Sequence, residues 1–206
     1  MDWKSHWTKI YEGKVETELG WYEAHPKDTI HLINSLNLSK YAEIFVAGAG
    51  ATTLIEFLLE DGFQNININD VSPKALSILR ENLGKEECNV EWILDDLTAP
   101  SILHELPLLD LWIDRAVIHF FTEEVDRNTY FDLLKSKVKV GGFVLLATFA
   151  KGGAEKCAGL PIRQYDLEML QSELGPAFET IATNNSIFVN PKGGQRPYIY
   201  GLFQRN

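Results

Sequence analysis

The sequence has few of the features that mark disulfide-rich, metal-binding or nucleic-acid-binding proteins. Its 206 residues include only two cysteines, Cys88 and Cys157, which are too few for a disulfide framework and show no metal-type spacing. Lysine and arginine number 19 against 29 aspartates and glutamates, so the formal net charge is −10. Because no net positive field is available to attract a phosphate backbone, we expect no binding to nucleic acid.

Long apolar runs are also absent. None approaches the roughly 20 residues that a helix needs to cross a bilayer, and the opening "MDWKSHWTKIYEG" lacks the apolar core of a signal peptide. We therefore expect a cytoplasmic protein with no membrane partner. With 45% hydrophobic and 23% charged residues, the chain has a globular composition, and residues 1–206 are predicted to form a single domain.

The order of the predicted elements indicates an α/β fold. Strands that alternate with helices favour a mostly parallel sheet with helices on both faces. The tail, "FETIATNNSIFV" and "RPYIYGLFQR" around the turn "NPKGGQ", predicts an antiparallel hairpin. Strands are predicted at 44–47, 65–70, 90–94, 108–113 and 142–150, and helices at 2–12, 26–36, 53–59, 73–83, 123–137 and 165–174. Residues 1–40 are expected to form a helical cap on a core at 41–206.

The stretch "VAGAGATT" joins the first predicted strand to a helix and is a candidate cofactor loop. Gly48 and Gly50 would let a ligand approach the backbone closely. Asp70 ends the next predicted strand, where a carboxylate can accept both hydroxyls of a ribose. The alternative is a tight strand-to-helix turn that binds no ligand.

The residues of this loop discriminate among cofactors. No lysine follows it, so it is not a Walker-type phosphate loop. Thr53 occupies the position of the third glycine in a dinucleotide fingerprint, a glycine that serves close approach to a pyrophosphate. S-adenosylmethionine (SAM) contains an adenosine without a phosphate, so it requires the first two glycines and the acid only.

These features resemble the class I, seven-β-strand, SAM-dependent methyltransferases, over nearly the whole chain from about Trp7 to Phe203. The resemblance implies a three-layer αβα sandwich with a Rossmann-like, mostly parallel seven-stranded sheet and a C-terminal antiparallel hairpin. It also implies SAM as cofactor and S-adenosylhomocysteine (SAH) as product. One departure is Val46, which stands where the first motif of the family has an acid that contacts the methionine end of the cofactor.

The resemblance also implies a set of cofactor-binding residues. Asp70 matches the ribose-binding acid, and "LDDLT" matches the motif whose acid bonds the adenine amino group, with Asp96 the better fit, Asp95 the alternative and Leu97 beside the adenine ring. The full set of cofactor-binding candidates is Gly48, Ala49, Gly50, Asp70, Val71, Asp95, Asp96, Leu97, Asp114 and Tyr22. No metal is predicted, because adenine binding explains the paired acids better.

The segment "IDRAVIHFFT" follows the fourth predicted strand and supplies the catalytic candidates. Ligands of such sheets bind outside the carboxyl ends of the strands. His119 is the predicted general base, because an imidazole near its ordinary pKa takes up a proton at neutral pH; the alternative is a packed histidine. Asp114 could orient an amine or the ammonium of the cofactor, or could instead pair with Arg115.

Three further residues are candidates for binding the substrate. Trp21, with Tyr22 beside it, could close over the bound methionine or form part of an aromatic cage around a cationic acceptor. Arg163 and Tyr165, in "EKCAGLPIRQYD", could bind a carboxylate or carbonyl of the substrate. For the two tryptophans nearest the N-terminus, packing on the core is the preferred interpretation.

The predicted acceptor is a small molecule, because no appended domain is evident that would dock a large partner. Two alternatives remain. A protein lysine methyltransferase is suggested by Trp7, Tyr11, Trp21 and Tyr22, a pattern that resembles enzymes methylating lysine in translation factors. A non-catalytic SAM-binding module is suggested by Val46. The absence of "NPPY" or "DPPY" argues against amines of nucleic-acid bases and against protein glutamine. A monomer or homodimer is expected.

Overall fold

Seven strands form one sheet in the order β3-β2-β1-β4-β5-β9-β8 in the computed structural model, which describes residues 1–206 apart from the side chains of residues 87–89. The sheet strands are β1 Glu43–Ala47, β2 Asn65–Asp70, β3 Val90–Leu94, β4 Leu109–Arg115, β5 Val138–Phe149, β8 Phe178–Val189 and β9 Gln195–Arg205. A two-residue ribbon, β6 Lys156–Cys157 with β7 Leu160–Pro161, lies apart from it. The helices are α1 Trp3–Glu12, α2 Lys27–Asn34, α3 Leu54–Glu60, α4 Pro73–Leu83, α5 Glu124–Lys137 and α6 Leu167–Leu174.

The strand directions confirm the predicted α/β architecture. Strands β1 to β5 pair in parallel, whereas β9 runs antiparallel to β5 and β8 antiparallel to β9. The parallel strands β1 and β4 are buried on both faces, as their nearly continuous apolar sequences predict.

The two faces of the sheet cover two apolar clusters. Successive side chains of a strand point to opposite faces, so Phe45 joins the cluster that includes α5 and α6, while Ile44 joins the one that includes α2, α3 and α4. Trp112 of β4 packs on Phe45 with ring centroids 4.4 Å apart. The core therefore fixes the carboxyl ends of β1, β2 and β4 relative to one another.

Helix α4 illustrates how local sequence sets the boundaries. The Ser72 hydroxyl accepts a hydrogen bond from the amide of Ala75 at 3.2 Å, Pro73 occupies the first turn, and Gly84 ends the helix with φ of +55°. The predicted bounds are confirmed here.

Two strands differ from their prediction by two residues or more at one end. Strand β4 continues to Arg115, two residues past the predicted end, and β5 begins at Val138 instead of 142. The reason for the second difference is a register shift between Leu109 and Leu111, opposite Gly141, whose φ is +81°. The irregularity lets Gly141 lie inside a strand that was expected to begin after it, at Gly142.

At the helix ends, α2 stops at Asn34 and α6 starts at Leu167, where the Asp166 carboxylate accepts from the amide of Met169 at 2.8 Å. Within the described part of the chain, no helix has the length and apolar character needed to cross a membrane.

Candidate functional site

A cavity lies at the carboxyl ends of β1, β2 and β4, the position at which parallel α/β sheets bind their ligands. Helix α1 and the segment that joins it to α2, residues 13–26, cover it; we call this segment the strap. The space between the walls, counted out to the solvent at the mouth, is about 1180 Å³. Its floor is formed by the glycine loop after β1 and by Asp70 at the end of β2.

The glycine loop turns under this cavity in a conformation that favours glycine. Gly48 and Gly50 have φ of +52° and +60°. A Cβ on Gly48 would lie 2.4 Å from Val117 Cγ2, and one on Gly50 would lie 2.2 Å from the hydroxyl of Tyr11. Both glycines are therefore required by their φ and by close protein neighbours. Gly48 and Ala49 line the cavity, whereas Gly50 lies beneath the Tyr11 hydroxyl and does not. The predicted approach of a ligand to the loop stays a prediction.

Asp70 is held rigidly at the floor. Its Oδ2 accepts a hydrogen bond from the amide of Gly50 at 2.8 Å, and its Oδ1 accepts one from the amide of Ser72 at 2.8 Å. Burial raises the pKa of Asp70 to about 6, although the amides of Ser72 and Gly50 favour the ionised form. Each carboxylate oxygen can accept a second hydrogen bond, so the residue can still bind two hydroxyls.

The two acids after β3 have different surroundings. Oδ2 of Asp95 accepts from the amides of Ser101, Ile102 and Leu103 at 2.8 to 3.0 Å, and its Oδ1 accepts from the Ser101 hydroxyl and the Asp96 amide. Burial alone would raise the pKa of Asp95, but these donors hold it below its ordinary value. The acceptor sites of Asp95 are thus taken up by its own loop.

Asp96 also lines the cavity. Its Oδ1 accepts from the amide of Thr98 at 2.8 Å and from the hydroxyl of Thr98 at 2.7 Å. Asp96 has fewer internal donors than Asp95, so more of its acceptor capacity is free for a ligand.

The opposite wall of the cavity is aromatic. Trp7 packs edge-on against Phe120 with ring centroids 4.9 Å apart and against Trp21 at 5.5 Å. Trp21 donates from Nε1 to the Tyr11 hydroxyl at 3.3 Å. Trp3 packs on Phe120 at 6.4 Å. Residues of α1 and the strap therefore form one side of the site together with the segment after β4.

The predicted base His119 does not line this cavity. It is fully buried, with Nδ1 3.3 Å from the hydroxyl of Thr148 and the ring between Phe120 and Phe149. Burial lowers its pKa to about 3, and the neighbouring charge of Arg115 acts in the same direction. The imidazole stays neutral and packed, which agrees with the alternative interpretation given above.

Asp114 is also directed into the protein interior. Its carboxylate accepts from the Tyr130 hydroxyl at 2.7 Å and from the amides of Val117 and Ile118 at 3.0 and 3.2 Å. Burial raises the pKa of Asp114 to about 7 despite these donors. Asp114 does not line the cavity. Its contacts fix the turn after β4 and give no support to a role at the reacting atoms.

Some of the remaining predicted residues line the cavity and others do not. Trp21 and Tyr22 line the cavity, as do Val71 and Leu97. Arg163 lies with Nη2 3.8 Å from Glu173 and its guanidinium 5.4 Å from the Tyr165 ring, and neither Arg163 nor Tyr165 lines the cavity. Their predicted contact with substrate has no support in this geometry.

Several cavity residues were not among the predicted site residues. The most important are Tyr11, whose hydroxyl lies over Gly50, and Arg115, at the end of β4. In the sequence Tyr11 is part of the aromatic pattern that resembles the lysine methyltransferases, and Arg115 is only a possible partner for Asp114. Among the described residues, no cluster of His, Cys, Asp and Glu is arranged to hold a metal ion.

Comparison with known proteins identifies the fold. No protein-family model and no curated protein sequence matches the chain. A crystal structure of a SAM-dependent methyltransferase from Anabaena variabilis matches 100% of this chain and 94% of its own, with a TM-score of 0.80 and 16% identity. The chain has the class I methyltransferase fold.

Two further structures share this methyltransferase fold. The N-methyltransferase NodS from Bradyrhizobium japonicum, in complex with SAH, has a TM-score of 0.68 at 15% identity and matches 97% of this chain and 98% of its own. The glycopeptide N-methyltransferase MtfA, complexed with SAM, has a TM-score of 0.65 at 12% identity and matches 90% of this chain and 96% of its own.

Proposed function

We propose that this protein is a SAM-dependent methyltransferase that acts on a small-molecule acceptor and releases SAH. The observation that carries the proposal is the floor of the cavity. There a carboxylate, Asp70, is fixed by the amide of Gly50 beside two glycines with positive φ. Such a floor suits an adenosine that carries no phosphate. Structural neighbours bound to SAM and to SAH support the same cofactor.

Each part of the floor has a proposed contact. Gly48 and Ala49 line the cavity and give the cofactor close access to the backbone, and Asp70 accepts the ribose hydroxyls. Gly50, which lies beneath the Tyr11 hydroxyl, contributes by holding Asp70 through its amide. Asp96 accepts from the adenine amino group, since the oxygens of Asp95 hold their own loop. Val71 and Leu97 line the cavity beside them, where they flank the adenine.

The methionine end of the cofactor lacks the acid that Val46 replaces. Val46 is buried and lines the cavity with an apolar side chain. The Tyr11 hydroxyl, which lies over Gly50 and accepts from Trp21, is the polar group that we propose for this end. Tyr22 also lines the cavity.

The aromatic wall is the proposed acceptor side. SAM supplies a methyl group on a sulfonium, a carbon already activated for displacement. The chain therefore has to position an acceptor and exclude water, for which Trp3, Trp7 and Phe120 provide a rigid apolar surface. Because His119 and Asp114 do not line the cavity, we assign catalysis to positioning and give no residue the role of base.

A protein lysine acceptor is the second candidate. The observation that favours it is the combination of Trp21 and Tyr22 with Glu16 on one wall, a setting that attracts a cation. The strap covers the cavity, however, and a small molecule fits beneath it more readily than a side chain of a folded protein.

Two measurements test the proposal. Calorimetry with SAM and SAH should give saturable heats, and the absence of heat with both would refute the assignment. A cell extract incubated with the protein and methyl-labelled SAM should then carry label in its small-molecule fraction. Label in a protein band would establish the lysine alternative, and binding with no label in either fraction would indicate the non-catalytic module.

A further inference from the structure

One buried cation connects the strap to the rest of the fold. Arg115, the last residue of β4, lines the cavity and donates from Nη1 to the carbonyl oxygen of Trp21 at 3.1 Å. Its Nε lies 2.7 Å from Oε2 of Glu23, in an ion pair whose side chains are only 13% and 18% exposed. Both partners belong to the strap, so one guanidinium holds it at two points that are two residues apart.

The same guanidinium is fixed from the other side by aromatic rings. It lies 5.0 Å from the ring of Phe188 in β8 and 5.4 Å from the ring of Tyr198 in β9. Arg115 therefore joins the strap, the end of β4 and the C-terminal hairpin. A planar guanidinium can stack on rings and bond in its own plane at the same time, which a lysine cannot do.

A second contact holds the backbone of Glu23. The hydroxyl of Thr53, just before α3, donates to the carbonyl oxygen of Glu23 at 2.9 Å. Glu23 is thus held through its side chain by Arg115 and through its backbone by Thr53. The strap residues 21–23 all line the cavity.

The first half of the strap is held much less firmly. Within residues 13–18 every side chain is exposed except that of Glu16, which is half-buried. Segments with few buried contacts open at low free energy, whereas segments tied to the core do not. The position of the strap consequently depends on the contacts near its second half.

We propose that Arg115 is a positioning residue that latches the strap over the cofactor cavity, and that release of Glu23 and of the Trp21 carbonyl opens the path for cofactor entry and departure. The proposal rests on the proposed function, because its ligand probe is SAH. Arg115 acts through the strap, and its effect should fall on the rate of ligand release more than on the global stability of the fold.

The test combines ligand kinetics with amide hydrogen exchange. The variants are Arg115→Gln, Arg115→Lys, Glu23→Gln and Thr53→Val. The matched control is Lys40→Gln, which removes a cation that pairs with Asp61 at 2.8 Å and lies 4.3 Å from the Phe63 ring, on another part of the surface. SAH dissociation is followed by stopped-flow tryptophan fluorescence, and exchange is measured for the strap and for the central strands.

We expect Arg115→Gln to speed SAH dissociation about tenfold or more, because a strap that has lost its ion pair and its bond to the Trp21 carbonyl opens at a lower free energy. Glu23→Gln and Thr53→Val should increase the SAH dissociation rate less than Arg115→Gln does. Arg115→Lys keeps the positive charge, so its dissociation rate should lie between those of the wild type and Arg115→Gln. Exchange in residues 13–26 should rise in the ligand-free variants. Lys40→Gln should change neither quantity.

Two results would refute the proposal that Arg115 holds the strap over the cavity. One is wild-type SAH dissociation together with wild-type strap exchange in all the strap variants; the other is faster exchange spread evenly over strap and central strands. If Arg115→Gln fails to fold, Glu23→Gln and Thr53→Val decide by the same criteria. If the wild type does not bind SAH, the proposed function fails, and strap exchange alone then supports or rejects the latch.

Discussion

Replacement of Asp70 by asparagine should separate the stability of this protein from its ligand affinity. In the folded chain, burial raises the pKa of Asp70 from 3.8 to about 6. This shift of about two units corresponds to roughly 3 kcal/mol that the folded state loses when the carboxyl ionises. An amide avoids that cost. It also turns an NH2 group toward the amide of Gly50 or Ser72, and an unpaired buried amide costs about 1–3 kcal/mol.

The balance predicts that Asp70→Asn leaves the free energy of unfolding unchanged, or raises it by up to about 2 kcal/mol, at about pH 8. The dependence on pH is the sharper signature. Because the folded pKa lies above the unfolded one, the contribution of Asp70 to stability is fully present below pH 3.8 and is lost as the pH rises through about 6. The variant lacks this loss.

Urea unfolding of both proteins at several pH values measures the difference. The stability of the variant relative to wild type should increase by up to about 3 kcal/mol between roughly pH 4 and pH 8. Two parallel pH profiles would refute the argument, because they would mean that the pKa of Asp70 does not differ between the folded and unfolded states.

Ligand affinity should change in the opposite direction. Loss of a charged acceptor for the ribose hydroxyls should weaken SAH binding by about 1–3 kcal/mol, or roughly 5–150-fold in Kd. The matched control is Asp110→Asn, a partly exposed acid near the opposite end of β4 that pairs with Lys139 at 2.9 Å. It should leave the Kd unchanged. Equal affinity of Asp70→Asn and wild type in calorimetry would remove Asp70 from the ribose role.

Three further predictions concern the loop and the buried residues after β4. Gly50→Ala should raise the Kd for SAH about tenfold or more, because the φ of Gly50 is +60° and a Cβ there would lie 2.2 Å from a tyrosine hydroxyl. The control Gly62→Ala, at φ +91° in open space, should cost about 1–2 kcal/mol of stability by urea unfolding and leave the Kd unchanged. Equal Kd values for the two variants would contradict this prediction. Tyr130→Phe removes the donor 2.7 Å from Asp114 and should lower the free energy of unfolding by about 1–3 kcal/mol, with an unchanged calorimetric Kd for SAH. His119→Gln should keep kcat with the acceptor identified in the extract, because the imidazole has a pKa of about 3 and does not line the cavity; a tenfold fall with intact SAH affinity would restore it as the base.

The parts of the fold that were predictable have local causes. The bounds of α4 follow from Ser72, Pro73 and Gly84, each of which acts on its nearest neighbours along the chain. The start of β5 was predicted wrongly, because the sequence does not reveal that Gly141 takes a positive φ inside a strand. That conformation depends on pairing with β4, a strand distant in sequence.

In the candidate site, too, the features with local causes could be predicted from the sequence and the others could not. The glycine loop and Asp70 are encoded in consecutive elements, so their arrangement could be predicted. The direction of His119 could not, because it depends on Ala116, whose φ of +70° is uncommon for a residue with a Cβ. This turn precedes the short helical segment Ile118–Phe120, in which the imidazole is fully buried while Phe120 lines the cavity.

Thr53, which stands where a dinucleotide fingerprint has its third glycine, makes a specific contact in the structure. In a dinucleotide fold a glycine there lets the helix pack closely and a pyrophosphate approach. Here Thr53 uses its hydroxyl to hold the carbonyl oxygen of Glu23, a bond that glycine could not make. The residue that disfavours a pyrophosphate is therefore one that anchors the strap. If Arg115 and Thr53 together hold the strap, the change that separates this loop from dinucleotide-binding loops also provides the cover under which a small acceptor can be shielded from water.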